Sequence, residues 1–555
     1  QGIICGDKYR NRNCLRTTEY LFFPSSTNYL FEVRTLFGGR PGAVASIAAY
    51  RLREPLPRLR IHYPEGLPAR RYGHEDEDQT FDWLLNNVDH GGFAGTTEEL
   101  LRYFGYTGEN LFQYSIFRYT STTDSIEGNV GMGLFPGGTG QILPFARRLQ
   151  ENGVAFVGQY CLWNDPGVAL FDKIDSDWRA RGFLTLDRDG NDREGLAQGA
   201  FTANIANREL QDMYFAYGED LLRRGAETGA IKAVQIPTGL FGRWRSPEFG
   251  YDDWTVAAFA RTLPRDERAP ILIQAAKSGA DYRARYELLW EGALKSKWVR
   301  WRADRVTEFF TRQVAFVKVC CPKAEVILTL QLAPNGYEEH GYDLAALSAI
   351  PGARLSVGRG YNNCWFGLYR DEKLPEEFDS LYAVDDPNVA MLRGKEGALA
   401  LFRSGQSYFE TFRDSLDPKN HASYFQSIDA KPVGRDFLRE GAYAVGAYDA
   451  LSASIGAQQL ATWGVEDEVR EFTQAYCALP ALPFKDLPGS DLKTVVMRSC
   501  RTRNGTYAYA VNMTDEPRTV SVLPGVSALD LSVDRKVSLS DVSLKPFELR
   551  SFLVR

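Results

Sequence analysis

Two glutamates in this chain have neighbours suited to acid–base or nucleophilic work. Glu410 ends the run Ser407-Tyr408-Phe409-Glu410, and Glu248 ends Gly239-Leu240-Phe241-Gly242-Arg243-Trp244-Arg245-Ser246-Pro247-Glu248. Two carboxyl groups on either side of a bond divide the labour: the protonated one donates to the leaving oxygen, and the ionised one attacks or activates water. Glu410 suits the nucleophile or base, because Gln406 and Tyr408 can hydrogen-bond its ionised form. Glu248 is the candidate proton donor, although the cations at Arg243 and Arg245 favour its ionised form and so oppose that role. Asp89-His90 is the substitute pair if the donor is not Glu248.

Around these groups stand Arg118, Arg243, Arg245 and Arg359, which can bind carboxylate or sulfate in bidentate fashion and therefore point to an anionic ligand. Ordinary loop salt bridges would use the same residues. Trp163, Trp244 and Trp365 offer flat faces for stacking, with Tyr119, Tyr361 and Tyr408 beside them. Core packing is the competing reading for each tryptophan. Trp290, Trp298 and Trp301 recur at helical spacing and are expected to pack.

Apart from these last three, the positions fall at the ends of expected strands. Short apolar runs at 84–88, 110–119, 154–163, 233–239, 325–332, 353–357, 398–402 and 457–463 alternate with helical patterns, as parallel strands with crossovers do. A helix is expected over 96–105, with Thr96 and Glu99 as its capping box. Further helices are expected at 140–152, 207–225 and 286–320. Eight such units suit an α/β fold, a (β/α)8 TIM barrel whose chemistry sits in the loops after the strands. The rival, a doubly wound sheet, usually carries a Gly-rich phosphate turn after its first strand. The expected first strand here runs instead into Val88-Asp89-His90-Gly91-Gly92-Phe93. Residues 1–78 read as an N-terminal β-rich domain ending in a polar linker at 64–79, residues 79–480 as the catalytic barrel, and residues 481–555 as an antiparallel β-sandwich with Asn504-Gly505 as a hairpin turn.

Composition narrows the partners. The net charge of −6 leaves no basic excess for a nucleic-acid backbone. No apolar run is long enough to span a membrane. Eight Cys without metal spacing and five scattered His imply no metal centre and no cofactor. Aromatics at 13 %, with 10 Trp and 28 Tyr, fit a cleft for polyhydroxylated ligands as well as they fit a large core. The chain opens on Gln1 rather than Met, which fits a mature secreted or periplasmic protein or a trimmed chain. Self-association is left open.

The chain resembles barrel glycoside hydrolases of clan A type, in layout most similar to family 42 β-galactosidases and related enzymes of bacterial polysaccharide degraders. The run 239–248, the run 407–410 and the closing segment 544–552 carry the resemblance. It implies a glycosidase acting on an oligo- or polysaccharide, with Glu410 as nucleophile. The position matching the family's proton donor is Arg243, which stays protonated and cannot donate. The alternatives are therefore a carbohydrate-binding protein that has lost cleavage, or a polysaccharide lyase using His90, Tyr119 and Arg118.

Overall fold

The computed structural model describes residues 2–8, 17–22, 71–76, 92–115, 142–160, 180–191, 203–237, 244, 247–275, 281–331, 338–339, 341–359, 399–402, 438, 441–442, 445–446, 454–457 and 466–555. An antiparallel hairpin comes first, β1 (Gly2–Lys8) with β2 (Thr17–Phe22). Eight strands then close a barrel: β3 (Arg71–Asp76), β4 (Leu111–Ser115), β5 (Ala155–Gln159), β6 (Ala233–Pro237), β7 (Glu325–Gln331), β8 (Ala353–Arg359), β9 (Leu399–Phe402) and β10 (Ser454–Ala457). Each strand pairs in parallel with the next, and β10 pairs back onto β3. The expected barrel is therefore present, and seven of its strands overlap the apolar runs. The first does not. β3 lies inside the stretch read as a linker, before residue 79, so the barrel begins earlier than the expected boundary. The run at 84–88 lies outside the described residues.

Alternation along the strands separates two faces. Leu111, Val157, Ala233 and Ile327 form a cluster of their own inside the barrel. Phe112, Phe156, Val234, Ile236, Val326 and Leu328 take the other parity and join the large outer core. Among the helices over that outer face are α1 (Gly92–Thr107), α2 (Ile142–Glu151) and α3 (Arg208–Glu227), then α4 (Asp253–Ala260), α5 (Arg265–Ala275), α6 (Lys295–Cys320) and α7 (Glu466–Cys477). Phe145 of α2 meets Phe112 and Phe156 edge-on at 5.7 and 5.9 Å, and burying each such ring contributes roughly 1.5–3 kcal/mol. Helix α3 starts where the Asn207 side chain accepts from Glu209 N and Leu210 N, satisfying two orphan donors. Helix α1 begins at Gly92, so Thr96 and Glu99 lie within it and do not cap it. The long helix expected at 286–320 is interrupted: a π-helical turn at Glu287–Glu291 ends at Gly292, and α6 follows. A Cβ at Gly292 would run into the backbone of Glu287 and Leu288, which explains the small residue at the break.

The C-terminal strands are β11 (Lys485–Asp486), β12 (Val495–Thr502), β13 (Gly505–Asn512), β14 (Arg518–Val520), β15 (Ser527–Asp530), β16 (Arg535–Ser538), β17 (Val542–Leu544) and β18 (Leu549–Val554). They make a six-stranded sheet and a two-stranded sheet, all antiparallel. One face of the larger sheet, with Met497, Ala508, Ala510 and Phe552, packs against Val542 and Leu544 of the smaller. Its other face, with Val496, Tyr509, Val511 and Leu553, is continuous with the outer core of the barrel. Arg498 reaches across, donating to Val445 O at 3.1 Å and pairing with Asp486 at 2.6 Å. None of the helices among the described residues is long and apolar enough to cross a membrane.

Candidate active site at the barrel rim

The parallel strands put their C-terminal ends on one rim, where barrel chemistry gathers. Beneath that rim the barrel interior turns from apolar to polar. Two positions above Leu111 on β4 is Gln113, and two above Ala233 on β6 is Gln235. Gln113 Nε2 donates to Gln235 Oε1, spanning the intervening strand β5. The two come from alternate strands, as the members of one interior layer do. Gln159, last residue of β5, sits in register beside Gln235 and is equally enclosed. Gln113, Gln159 and Gln235 are exposed by 1, 2 and 0 %. Apolar branched residues usually fill this space, and a buried amide is costly unless its donors and acceptors are met. Three carboxamides line this part of the interior, two of them joined by the Gln113–Gln235 hydrogen bond. None of the three was singled out as a candidate in the sequence, because a glutamine in a strand reads as a solvent-facing residue until the register is known.

Two of the sequence-derived candidates have described surroundings: Trp244 takes the packing one of its two readings, and Glu248 sits beside a cation, as the argument against its donor role required. Trp244 was a stacking platform in prospect. It is fully buried, its ring 5.9 Å from Trp301 and covered by the Arg302 guanidinium at 5.1 Å, so no face is open to a sugar ring. Trp298 and Trp301 stack at 5.3 Å in the same layer, and both pack as expected. Glu248 was the expected proton donor. Its Oε2 lies 2.8 Å from Nε of Arg188, with both side chains about nine-tenths enclosed, and Arg188 N donates to the Glu248 carbonyl at 2.9 Å. A carboxylate committed to a buried guanidinium is arranged as a structural partner and not as a proton source. This cation was not legible in the sequence: Arg188 is sixty positions upstream, brought in by the bridge between Asp187 and Phe249.

Two buried arginines of the β6–β7 crossover hold this loop. Arg302 donates to the carbonyls of Trp244 and Phe249. Arg285 donates to Tyr251 O and to Asp253 Oδ1, each at 2.6 Å. Burial pushes the phenols of Tyr251 and Tyr286 up. For Tyr251 the nearby Arg302 charge opposes the shift, and for Tyr286 the charge of Glu248 adds to it. Burial also raises the Asp252 carboxyl, outweighing the hydrogen bonds it receives from Thr255 and Thr185.

Arg359 is the last residue of β8, at the rim as expected, and its side chain is not among those described. Asp89, His90, Arg118, Tyr119, Trp163, Arg243, Tyr361, Trp365, Tyr408 and Glu410 lie outside the described residues. Cys320, Cys321 and Cys477 are buried free thiols, and burial raises the first two.

No family model matches the chain, and no curated protein matches its sequence. Among solved structures, it is similar to an Anoxybacillus α-amylase at 11 % identity, over 88 % of this chain and 97 % of that one, with a TM-score of 0.45. Eubacterium rectale Amy13B matches at 9 % identity, over 88 % and 96 %, with a TM-score of 0.49. A β-galactosidase from Rahnella sp. R3 matches at 13 % identity, over 78 % of this chain and 59 % of that one, with a TM-score of 0.44. Likenesses this distant carry no argument about activity, and the barrel stands on its own strand order.

Proposed function

We propose that this chain is a glycoside hydrolase that cleaves an oligo- or polysaccharide at the C-terminal rim of its barrel. The observation that carries the reading is the floor of buried carboxamides, Gln113, Gln159 and Gln235, in the barrel interior. A sugar presents hydroxyls that donate and accept at once, and a carboxamide answers both with one side chain. Above such a floor, cleavage needs two carboxyl groups. The sequence offers Glu410, eight residues beyond the end of β9, as the nucleophile or base. The family 42 likeness rests on its short motifs alone. Arg118, Arg243, Arg245 and Arg359 favour a substrate carrying uronate, sialate or sulfate groups.

The test is hydrolysis of a panel of aryl glycosides and polysaccharides, neutral and anionic, by wild type and by Glu410→Gln. Cleavage by wild type and its loss in a folded Glu410→Gln protein are expected. A wild type that binds sugars without cleaving them favours the second reading, a binding protein, which the Glu248–Arg188 pair supports by occupying one expected catalytic carboxylate. An ultraviolet-absorbing unsaturated product would identify a lyase instead.

A further inference from the structure

With Glu248 held in its ion pair and the substitute pair Asp89-His90 outside the described residues, the barrel register supplies a further candidate for the proton donor. Glu75 is the fifth of six residues in β3, toward the C-terminal rim. Its partner in register is Gln113, and Gly73 two positions below pairs with Leu111. Leu111 belongs to the interior cluster, and Gln113 bonds across the interior to Gln235. Glu75 therefore holds an interior-face position beside the carboxamide floor. The other acidic residue of the strand does not share it: Asp76 takes the opposite parity, as does His74, whose partner Phe112 is in the outer core.

By register Gln113 stands beside Glu75 on β4, with Leu111 beside Gly73 one step below. On β10 the same face carries Gly456 beside Gly73 and Ser454 beside Arg71. The one cation of that face on its own strand is Arg71, four residues back at the other end. The other charged pair of the interior register, Glu325 with Arg354, also lies at the N-terminal end, joined as an ion pair. A glutamate on an interior face is rarely retained for stability when an amide or an apolar residue would serve, as it does on the neighbouring strands.

We propose that Glu75 is the proton donor of glycosidic cleavage. This rests on the hydrolase reading above. In the step, the carboxyl O–H bond breaks and its proton passes to the glycosidic oxygen as the bond from that oxygen to the anomeric carbon breaks. The anomeric carbon takes its new oxygen from the carboxylate or from water, and when water attacks, its proton goes to a carboxylate.

The experiment measures kcat/KM for wild type and Glu75→Gln on two aryl glycosides of one sugar. The dinitrophenyl leaving group departs without a proton, and the methylphenyl group requires one. On the methylphenyl glycoside the variant is expected to fall by about 10²-fold or more, the usual contribution of a general acid, and on the dinitrophenyl glycoside by less than about tenfold. The alkaline limb of the wild-type pH profile should vanish in the variant. Equal loss on both substrates, or no loss, overturns the donor role while leaving the hydrolase reading in place. A wild type inert on the whole panel overturns both. Should Glu75→Gln melt below the assay temperature, Glu75→Asp must show the same split between substrates, and its absence there overturns the role.

Discussion

Arg285 and Arg302 are as deeply buried as Gln113 and Gln235, at 0 to 1 % exposure, yet the two pairs are used differently. The arginines lie in the β6–β7 crossover, among Trp244, Trp298 and Tyr251. Their guanidinium groups end on backbone carbonyls and on the Asp253 carboxylate, and they fasten one loop to one helical layer. The glutamines lie on strands that need no such fastening, since the barrel ladder already holds them. Buried charge spent on backbone is a structural device, whereas neutral amides gathered beneath a barrel rim are the layer on which the proposed function rests. Substitution should separate the two kinds of burial, because one set should move stability alone and the other should move substrate affinity as well.

The largest effect is expected from Arg302→Met. It leaves the carbonyls of Trp244 and Phe249 without this donor and removes the cation from the faces of Trp244 and Trp298. At about 1–3 kcal/mol for each buried group left unmet, the loss should be roughly 4 kcal/mol in denaturant unfolding. Activity per folded molecule should hold, and a collapse of kcat in protein that remains folded would assign the crossover to the chemistry.

Glu248→Gln comes next, at roughly 3 kcal/mol, because it strands the buried Arg188 charge. The double variant Arg188→Met, Glu248→Gln should recover most of that loss, the signature of a pair. Hydrolysis should survive both. If Glu248→Gln keeps its stability and loses activity, Glu248 is catalytic after all and the contrast between the regions fails.

Gln113→Leu and Gln235→Leu should each cost roughly 2 kcal/mol by leaving the other amide unmatched. The double Leu variant should be nearly as stable as wild type, since two apolar side chains suit a barrel interior. Its KM for the cleaved glycoside should nevertheless rise. Full recovery of both stability and KM would make the floor an ordinary packing layer.

These two regions were unequally legible in the sequence. Seven barrel strands could be located because their apolar residues must face a core on both sides. The eighth, Arg71–Asp76, has Tyr72 as its one large apolar residue and so looks like a linker; only closure of the barrel reveals it. The same blindness hid Glu75 and the glutamines, whose meaning depends on register and not on composition. The reverse error befell Trp244 and Glu248. Tryptophan and glutamate after a strand look functional, but here tertiary contacts from α6 and from Arg188 enclose them. Packing residues announced themselves better: Trp298 and Trp301, at helical spacing, are core.

The smallest effect sharpens the contrast from the structural side. Asp252 caps α4, its Oδ1 accepting from Thr255 N at 2.8 Å, and burial holds its carboxyl above the ordinary range. The folded state therefore binds this proton more tightly than the unfolded chain does. The stability this contributes is fully present below the unfolded value of about 3.9 and is lost as pH rises through the higher folded value. Above the unfolded value the burial of this carboxyl therefore costs stability. Asp252→Asn keeps an oxygen for Thr255 N, ranks equally as a cap and has no proton to exchange. The variant should melt higher than wild type at neutral pH, by a shift corresponding to about 1 kcal/mol, and the gap should shrink as the pH falls toward 4. A gap that stays constant with pH would mean that the Asp252 carboxyl is not destabilised by its burial. Hydrolysis at a fixed temperature below both melting points should be identical, because nothing in the crossover's buried charge is expected to reach the rim.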